Sequence, residues 1–521
     1  MSVVQGQSSL STKRQTVLSL DLKELSLYIM VKKMNISILT IIIIFAAYFC
    51  LLMLVSGFVS AKSDSNASYF TGDRKSPWIA VAYGTIGTFL SGVTFMSVPG
   101  YVRESGFTYL GVILGNFVGI LLISYILLPL YYKMNLTSIY TYLRERFGQR
   151  TEKTGAVLFI VSRAFGSALR MYIVVFTLYE FSFKNANIPF WLLSAILITL
   201  ILLYTFQGGI KTVVWTDVLQ TTCMFLALGG TIWFLMSGLD DSPFNIIKEA
   251  GDRGMMRIYD NDWKSPSFFW KQFASGVAVS IAMTGLDQDM MQKNLSCSSL
   301  KDSRKNMTLS AVLFLLVNIV FLILGVLLIF YASAKNITLP EKSDAIFSTI
   351  ALSSNIVCAF LFLIGLIAAG FSSADGTLAS LTTAFCVNVL DFENDRMRSE
   401  EQKIRIRKGI HIAFAVLFFF IIVVFRPFHS ESLIATIFKI AGYTYGPLLG
   451  MFCFGILIKN RKAYDRAIPF IAVLSPVISL IVDRYSAELF FGYKFGFEIL
   501  LFNSMLTFMA LLVFSKAAIR R

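Results

Sequence analysis

Apolar residues along this chain come in long, nearly uncharged runs separated by short polar segments. Thirteen runs predict helices that cross a bilayer: roughly 36–59, 77–98, 107–132, 153–182, 188–206, 209–237, 268–289, 307–333, 352–390, 409–425, 431–458, 467–483 and 497–515. About 20 apolar residues cross some 30 Å of hydrocarbon as a helix. The 352–390 run exceeds one crossing, so its tail is expected to project into water. The pattern predicts one polytopic bundle over 36–516, preceded by an N-terminal tail, 1–35.

Two blocks of five runs stand out, 77–237 and 268–457, with 467–515 supplying two extra helices. Each block opens on an interrupted run. Gly84, Gly87, Ser91, Gly92 and Pro99 punctuate the first, and Ser275, Gly276, Thr284 and Gly285 the second. Small residues also serve close helix packing. Their matched positions in two halves favour an inverted-repeat transporter, in which half-helix ends and unwound carbonyls hold substrate and ion near the midplane.

Composition agrees: 56% of residues are hydrophobic, 15% are charged, and Phe numbers 48, which excludes an ordinary soluble domain. The net charge of +15 is topological and does not point to nucleic acid. With the N-terminus outside, most Lys and Arg fall in inside loops, as the positive-inside rule requires. The expected setting is a plasma (inner) membrane, with the C-terminus cytoplasmic and lipid and a small solute as partners. Lys13, Arg14, Lys23, Lys32 and Lys33 of the tail conflict with this register, and a start at Met34 would remove the conflict. The six cysteines are scattered and read as packing residues. His411 and His429 are too few and too isolated for a catalytic constellation, so no enzyme is expected and no organic cofactor. A nutrient sensor would carry a signalling domain, and only a few residues follow the last run.

Asp217 is the most telling single residue. It sits in Val213-Val-Trp-Thr-Asp217, near the start of an apolar run, where a carboxylate is costly and faces a partner or a water-filled path. It reads first as a cation site, against an interfacial cap or pair. Arg163 and Arg170, seven residues apart in one run, face the same side and are costly for the same reason.

Several segments together carry a family resemblance: Tyr69-Phe-Thr-Gly-Asp-Arg74 before Pro77-Trp78, Thr137-Ser-Ile-Tyr-Thr-Tyr-Leu-Arg-Glu-Arg-Phe-Gly148, and Gly208-Gly209 with Trp215-Thr-Asp217. Leu286-Asp-Gln-Asp-Met-Met-Gln292, Ala368-Ala-Gly-Phe-Ser-Ser373 and Gly442-Tyr-Thr-Tyr-Gly-Pro447 complete the set. In order and spacing the chain resembles the sodium:solute symporter family over about 36–516. The resemblance implies an all-α integral membrane protein of the LeuT type: a five-plus-five inverted repeat, about 13 transmembrane helices, acting as a monomer by alternating access with Na⁺ as coupling ion.

Carried over by position, the family's shared sodium site falls on Gly87, Leu90, Ala369, Ser372 and Ser373. Unwound carbonyls and paired hydroxyls suit a hard cation, although intramembrane serines also bond back to the preceding turn. A second sodium site in some members uses the Trp-Thr-Asp aspartate and two later hydroxyls, and here those later positions are Asp375 and Gly376. Asp217, Ser372 and Asp375 are therefore expected to hold a second Na⁺, giving two Na⁺ per anion, unless Asp375 pairs with an arginine instead. Arg170 matches the position that holds a substrate carboxylate in the sialic acid branch, which a planar guanidinium suits. Its alternatives are a salt bridge to Asp375 or snorkelling. Ser91 and Thr94 match hydroxyls that line substrate there. Phe273 is expected beside the solute, as an outer-gate aromatic with Trp270, Tyr443 and Tyr445, against ordinary core packing. Phe89 replaces the aspartate of proline carriers and the amide of sugar carriers. The implied function is Na⁺-coupled import of a small organic solute, leaning to a carboxylated, sialic-acid-like or other organic acid, with a sugar or polyol symporter as the alternative. Gln288 and Gln292 are expected to be structural.

Overall fold

The computed structural model describes residues 38–60, 65–206, 208–426 and 433–517. The N-terminal tail and His429 lie outside them. The described chain is almost wholly helical. Its first half comprises α1 (Ile38–Ser60), α2 (Trp78–Phe89), α3 (Gly92–Ser105), α4 (Leu110–Leu122), α5 (Gln149–Leu178), α6 (Phe190–Thr205) and α7 (Gly209–Ser237). Then come α8 (Phe269–Ser280), α9 (Gln288–Leu295), α10 (Leu300–Ala334), α11 (Ile356–Ala384), α12 (Glu400–Phe425), α13 (Leu433–Leu457), α14 (Ile468–Arg484) and α15 (Ile499–Val513).

A helix lies over each of the thirteen predicted runs. Among the described residues, eight helices are individually long and apolar enough to cross a membrane, and a ninth span forms if the bent pair around residue 90 is one crossing. Boundaries follow local chemistry. Asn355 caps α11, its side chain accepting from Val357 N and Cys358 N at 2.9 and 3.0 Å. Ser399 and Gln402 form a reciprocal capping box at the start of α12. The box starts its helix outside the apolar run, which is why α12 begins nine residues before the predicted 409.

The tail of the 352–390 run does not stand in water. It continues α11 in a wider turn over Phe385–Val389, and Cys386 and Val387 pack with Tyr69, Phe70 and Phe392. Asn388 accepts from Ser138 Oγ at 2.5 Å and donates to Glu152 at 2.9 Å. A crossing helix that is too long can remain dry when other segments sheathe it and its polar groups find partners.

Below that tail, Arg144 binds Asp391 through two parallel bonds of 2.9 and 3.1 Å. The guanidinium holds the Asp391 carboxyl below its ordinary range. The pair is partly exposed, so Asp391→Asn should cost about 1 kcal/mol at most in detergent unfolding. The sign with pH follows from a lowered folded-state value: the contribution is present above about pH 4 and fades as pH falls through that value.

Gly276 does not mark the second break. A Cβ there would lie 2.3 Å from Val112 O, so the glycine lets α8 and α4 meet backbone to backbone. Gly276→Leu should destabilise by about 1–3 kcal/mol through overpacking, read as a lower unfolding midpoint at full expression. The break lies further on, where a wide turn at Ile281–Gly285 is followed by the non-helical Leu286 and Asp287.

Candidate functional site: an interrupted helix, a charge ladder and a cavity

The first interruption is sharp. The last backbone bond of α2 runs from Leu90 N to Ile86 O at 2.9 Å. Leu90 leaves the helix (φ −85°, ψ 64°), Ser91 is extended, and α3 departs at 53°. The final four carbonyls of a helix have no intrahelical donor, so those of Gly87 to Leu90 are free for another partner.

The middle of α11 faces this break. Thr88 Oγ1 lies 3.5 Å from Ser372 Oγ. Ala369, Ser372 and Ser373 are all fully buried. The hydroxyl of Ser373 has no hydrogen-bond partner among the described residues. A buried polar atom left without a partner in a well-packed helix is uncommon. Thr88, next to Gly87, thus brings the end of α2 to Ser372, beside one vacant hydroxyl.

Asp217 is reached through Ser372. Ser372 Oγ donates to Asp217 Oδ1 at 2.7 Å. The other carboxylate oxygen is taken by a cation of the protein itself: Lys293 Nζ lies 2.7 Å from Asp217 Oδ2 and donates to Thr88 Oγ1 at 2.6 Å. The positive-inside reading places most Lys and Arg in loops, and Lys293 departs from it. It is instead a fully buried residue of α9. The charges continue in a ladder. Lys293 Nζ is 3.8 Å from Asp289, and Asp289 accepts from Arg163 at 2.5 Å. Arg163 Nε is 3.6 Å from Asp287, which also accepts from Tyr445 OH at 2.5 Å.

Asp375 lies within electrostatic range of Asp217 and Lys293 but forms no ion pair, with an arginine or otherwise, among the described residues. Its Oδ2 accepts from Tyr204 OH at 3.0 Å, Gln220 Nε2 at 3.1 Å and Thr216 Oγ1 at 3.4 Å. The structure therefore does not bring Asp217 and Asp375 to one open oxygen cage: a lysine sits on the first, and three neutral donors converge on one oxygen of the second.

A cavity of about 800 Å³, counting its open mouth, adjoins the break. Ser91, Thr94 and Arg170 line it, as expected, together with Asn116, Ser280, Thr284 and Asn318. Phe89, Met283 and Phe314 supply apolar wall. Arg163 reaches the cavity edge but is held by its two aspartates. Arg170 forms no hydrogen bond or ion pair among the described residues. Phe273 is not in the wall: it packs on Phe269 and Trp270. Tyr443 bonds to Asp483 at 2.6 Å and Tyr445 to Asp287, so neither is a free gate aromatic. Gln288 and Gln292 are structural, bonding the backbone of Ile139, Thr137 and Phe70. His411 is buried, in contact with Tyr69, Thr205 and Thr382.

Lys293, Asn116 and Asn318 escaped the sequence reasoning. A signal for Lys293 existed, since Asp289 and Lys293 are four residues apart and share a helix face.

Comparison with known proteins adds independent observations. The model of the sodium:solute symporter family matches residues 69–464. The sodium/sialic acid symporter SiaT of Proteus mirabilis is 26% identical over 472 residues, covering 86% of this chain and 90% of its own. The sodium/sialic acid symporter NanT of Aliivibrio fischeri is 25% identical over 453 residues, 83% of this chain and 86% of its own. The human sodium/iodide cotransporter is 26% identical over 430 residues, 79% of this chain and 65% of its own. Among solved structures, a substrate-bound, outward-open Na⁺-coupled sialic acid symporter aligns with a TM-score of 0.77 and 23% identity, over 91% of this chain and 98% of that one. The fold is shared with that protein.

Proposed function

Because this chain belongs to the sodium:solute symporter family, a family of multi-pass membrane transporters and not of enzymes, we propose that it imports a small carboxylated solute, a sialic-acid-like sugar acid or another organic acid, together with Na⁺. The observation that carries the substrate reading is Arg170, a guanidinium in the cavity wall with no hydrogen-bond or ion-pair partner among the described residues. Leaving such a group unpaired in a partly dry cavity is costly, and a carboxylate answers it with two parallel charge-assisted bonds. Asn116, Asn318, Ser280 and Thr284 around it are neutral donors and acceptors suited to hydroxyl groups. A neutral sugar or polyol would satisfy those four and leave Arg170 unpaired.

Gly87, Leu90 and Ala369 offer carbonyls and Ser372 and Ser373 hydroxyls to one Na⁺. The vacant Ser373 hydroxyl supports this assignment. Ser372 donates its proton to Asp217, which leaves its lone pairs for the ion. Segments 77–237 and 268–457 act as the two repeats, 467–515 as two added helices, and the rocking of α2–α3 and α8–α9 exposes the site to either side in turn. The carrier works as a monomer with its C-terminus inside and N-terminus outside. The test is uptake into proteoliposomes of labelled sialic acid, short organic acids and neutral sugars, with an inward Na⁺ or K⁺ gradient. The expected result is Na⁺-dependent accumulation of an acid and none of the neutral sugars. Sodium-independent uptake, or a neutral substrate, would overturn it.

A further inference from the structure

We propose that the ammonium of Lys293 is a built-in cation that fills the position of a second ion at Asp217, so that the carrier moves one Na⁺ per solute. The proposal rests on the sodium-coupled reading above and replaces the two-ion expectation drawn from Asp217 and Asp375. Three observations carry it.

The first is position. Lys293 Nζ lies within 2.7 Å of Asp217 Oδ2 and Thr88 Oγ1, and Thr88 is in turn beside Ser372. A carboxylate and two hydroxyls around one point would suit a small hard cation, and a fixed ammonium already stands there.

The second is space. Gly376 occupies one of the two positions where an added hydroxyl would complete a second ion cage. A Cβ on Gly376 would lie 3.0 Å from Lys293 Nζ and 2.5 Å from Asp289 Oδ1. The missing side chain makes room for the lysine head and its second carboxylate.

The third is charge. Asp217, Asp287 and Asp289 face Lys293 and Arg163 in the ladder. Three carboxylates against two fixed cations leave one negative charge. One Na⁺ at the neighbouring carbonyl and serine site balances it. A second Na⁺ would have to displace Lys293 from both acids at once. Asp375 offers it no help, since three neutral donors already converge on one of its oxygens.

The experiment is the ratio of ²²Na⁺ to labelled solute taken up by proteoliposomes, measured on the wild type, on Asp217→Asn and on the paired variant Lys293→Ala with Gly376→Ser. In the wild type the ratio is expected to be close to one, with hyperbolic Na⁺ activation. Asp217→Asn slows uptake but leaves the ratio at one, because that carboxylate holds a lysine and not a transported ion. The paired variant vacates the position and supplies a hydroxyl, so its ratio rises towards two and its Na⁺ activation becomes sigmoidal. A wild-type ratio of two that falls to one in Asp217→Asn would overturn the proposal, and so would a paired variant that folds, transports and keeps the wild-type ratio. Should the paired variant fail to fold, the wild type and Asp217→Asn still decide the matter. Absence of any Na⁺-dependent uptake in the wild type is a different result and would count against the symport reading itself.

Discussion

Arg170→Ala is expected to raise the solute concentration for half-maximal uptake by about thirtyfold to several thousandfold, the equivalent of losing one partner of a desolvated charge pair at about 2–5 kcal/mol. No carboxylate of the protein forms an ion pair with Arg170 among the described residues. Its neighbour in the same helix, Arg163, holds Asp287 and Asp289 and would be expected to disturb the fold if removed. The contrast between two arginines seven residues apart makes the experiment specific. Arg170→Lys should be impaired as well, since a single ammonium cannot make the parallel pair of bonds. The measurement is concentration-dependent uptake at saturating Na⁺, beside the unfolding midpoint of each variant. Normal half-saturation in Arg170→Ala would make Arg170 part of the scaffold.

The second large effect is expected at the shared ion site. Ser372→Ala with Ser373→Ala removes two hydroxyls from a cation, each worth about 1.5–3 kcal/mol as a contact to a charged group. The Na⁺ concentration for half-activation should rise by about a hundredfold or more. Ser373 is the cleaner half of the pair, because its hydroxyl bonds to nothing else among the described residues. Ser373→Thr keeps the oxygen and should retain most of the activation. Uptake as a function of Na⁺ at fixed solute decides it, and unchanged Na⁺ activation in the double variant would remove the site from α11.

The positions of the helices were legible because a bilayer asks the sequence a coarse question, and long uncharged runs answer it without reference to neighbours. The interruption at Leu90–Ser91 was legible from clustered small residues, and Ser91, Thr94 and Arg170 lie in the wall of one cavity. What could not be read were relations between segments. Gly276 looked like a break and is a contact. Phe273 faced its own helix partners instead of the cavity. Lys293 carries the same charge as its neighbours Lys301 and Arg304, and only the fold, by bringing α9 against α7 and α11, separates a buried ion-pair partner from a loop lysine. Hydropathy records how residues sit relative to lipid and water; which carboxylate meets which cation is a property of three-dimensional neighbours.

The eight residues of α9 are all buried. Met290, Met291 and Leu295 belong to the hydrophobic core, while Gln288, Asp289, Gln292 and Lys293, with the capping Asp287, bond to other parts of the chain. When α9 swings away, carboxylates and cations exchange fixed partners for hydration, and the three apolar side chains are newly wetted. Apolar exposure is what gives conformational openings a large heat-capacity change. Release of α9 should thus carry such a change, so that temperature alone shifts the balance between the two forms of the carrier even when ion and solute are absent.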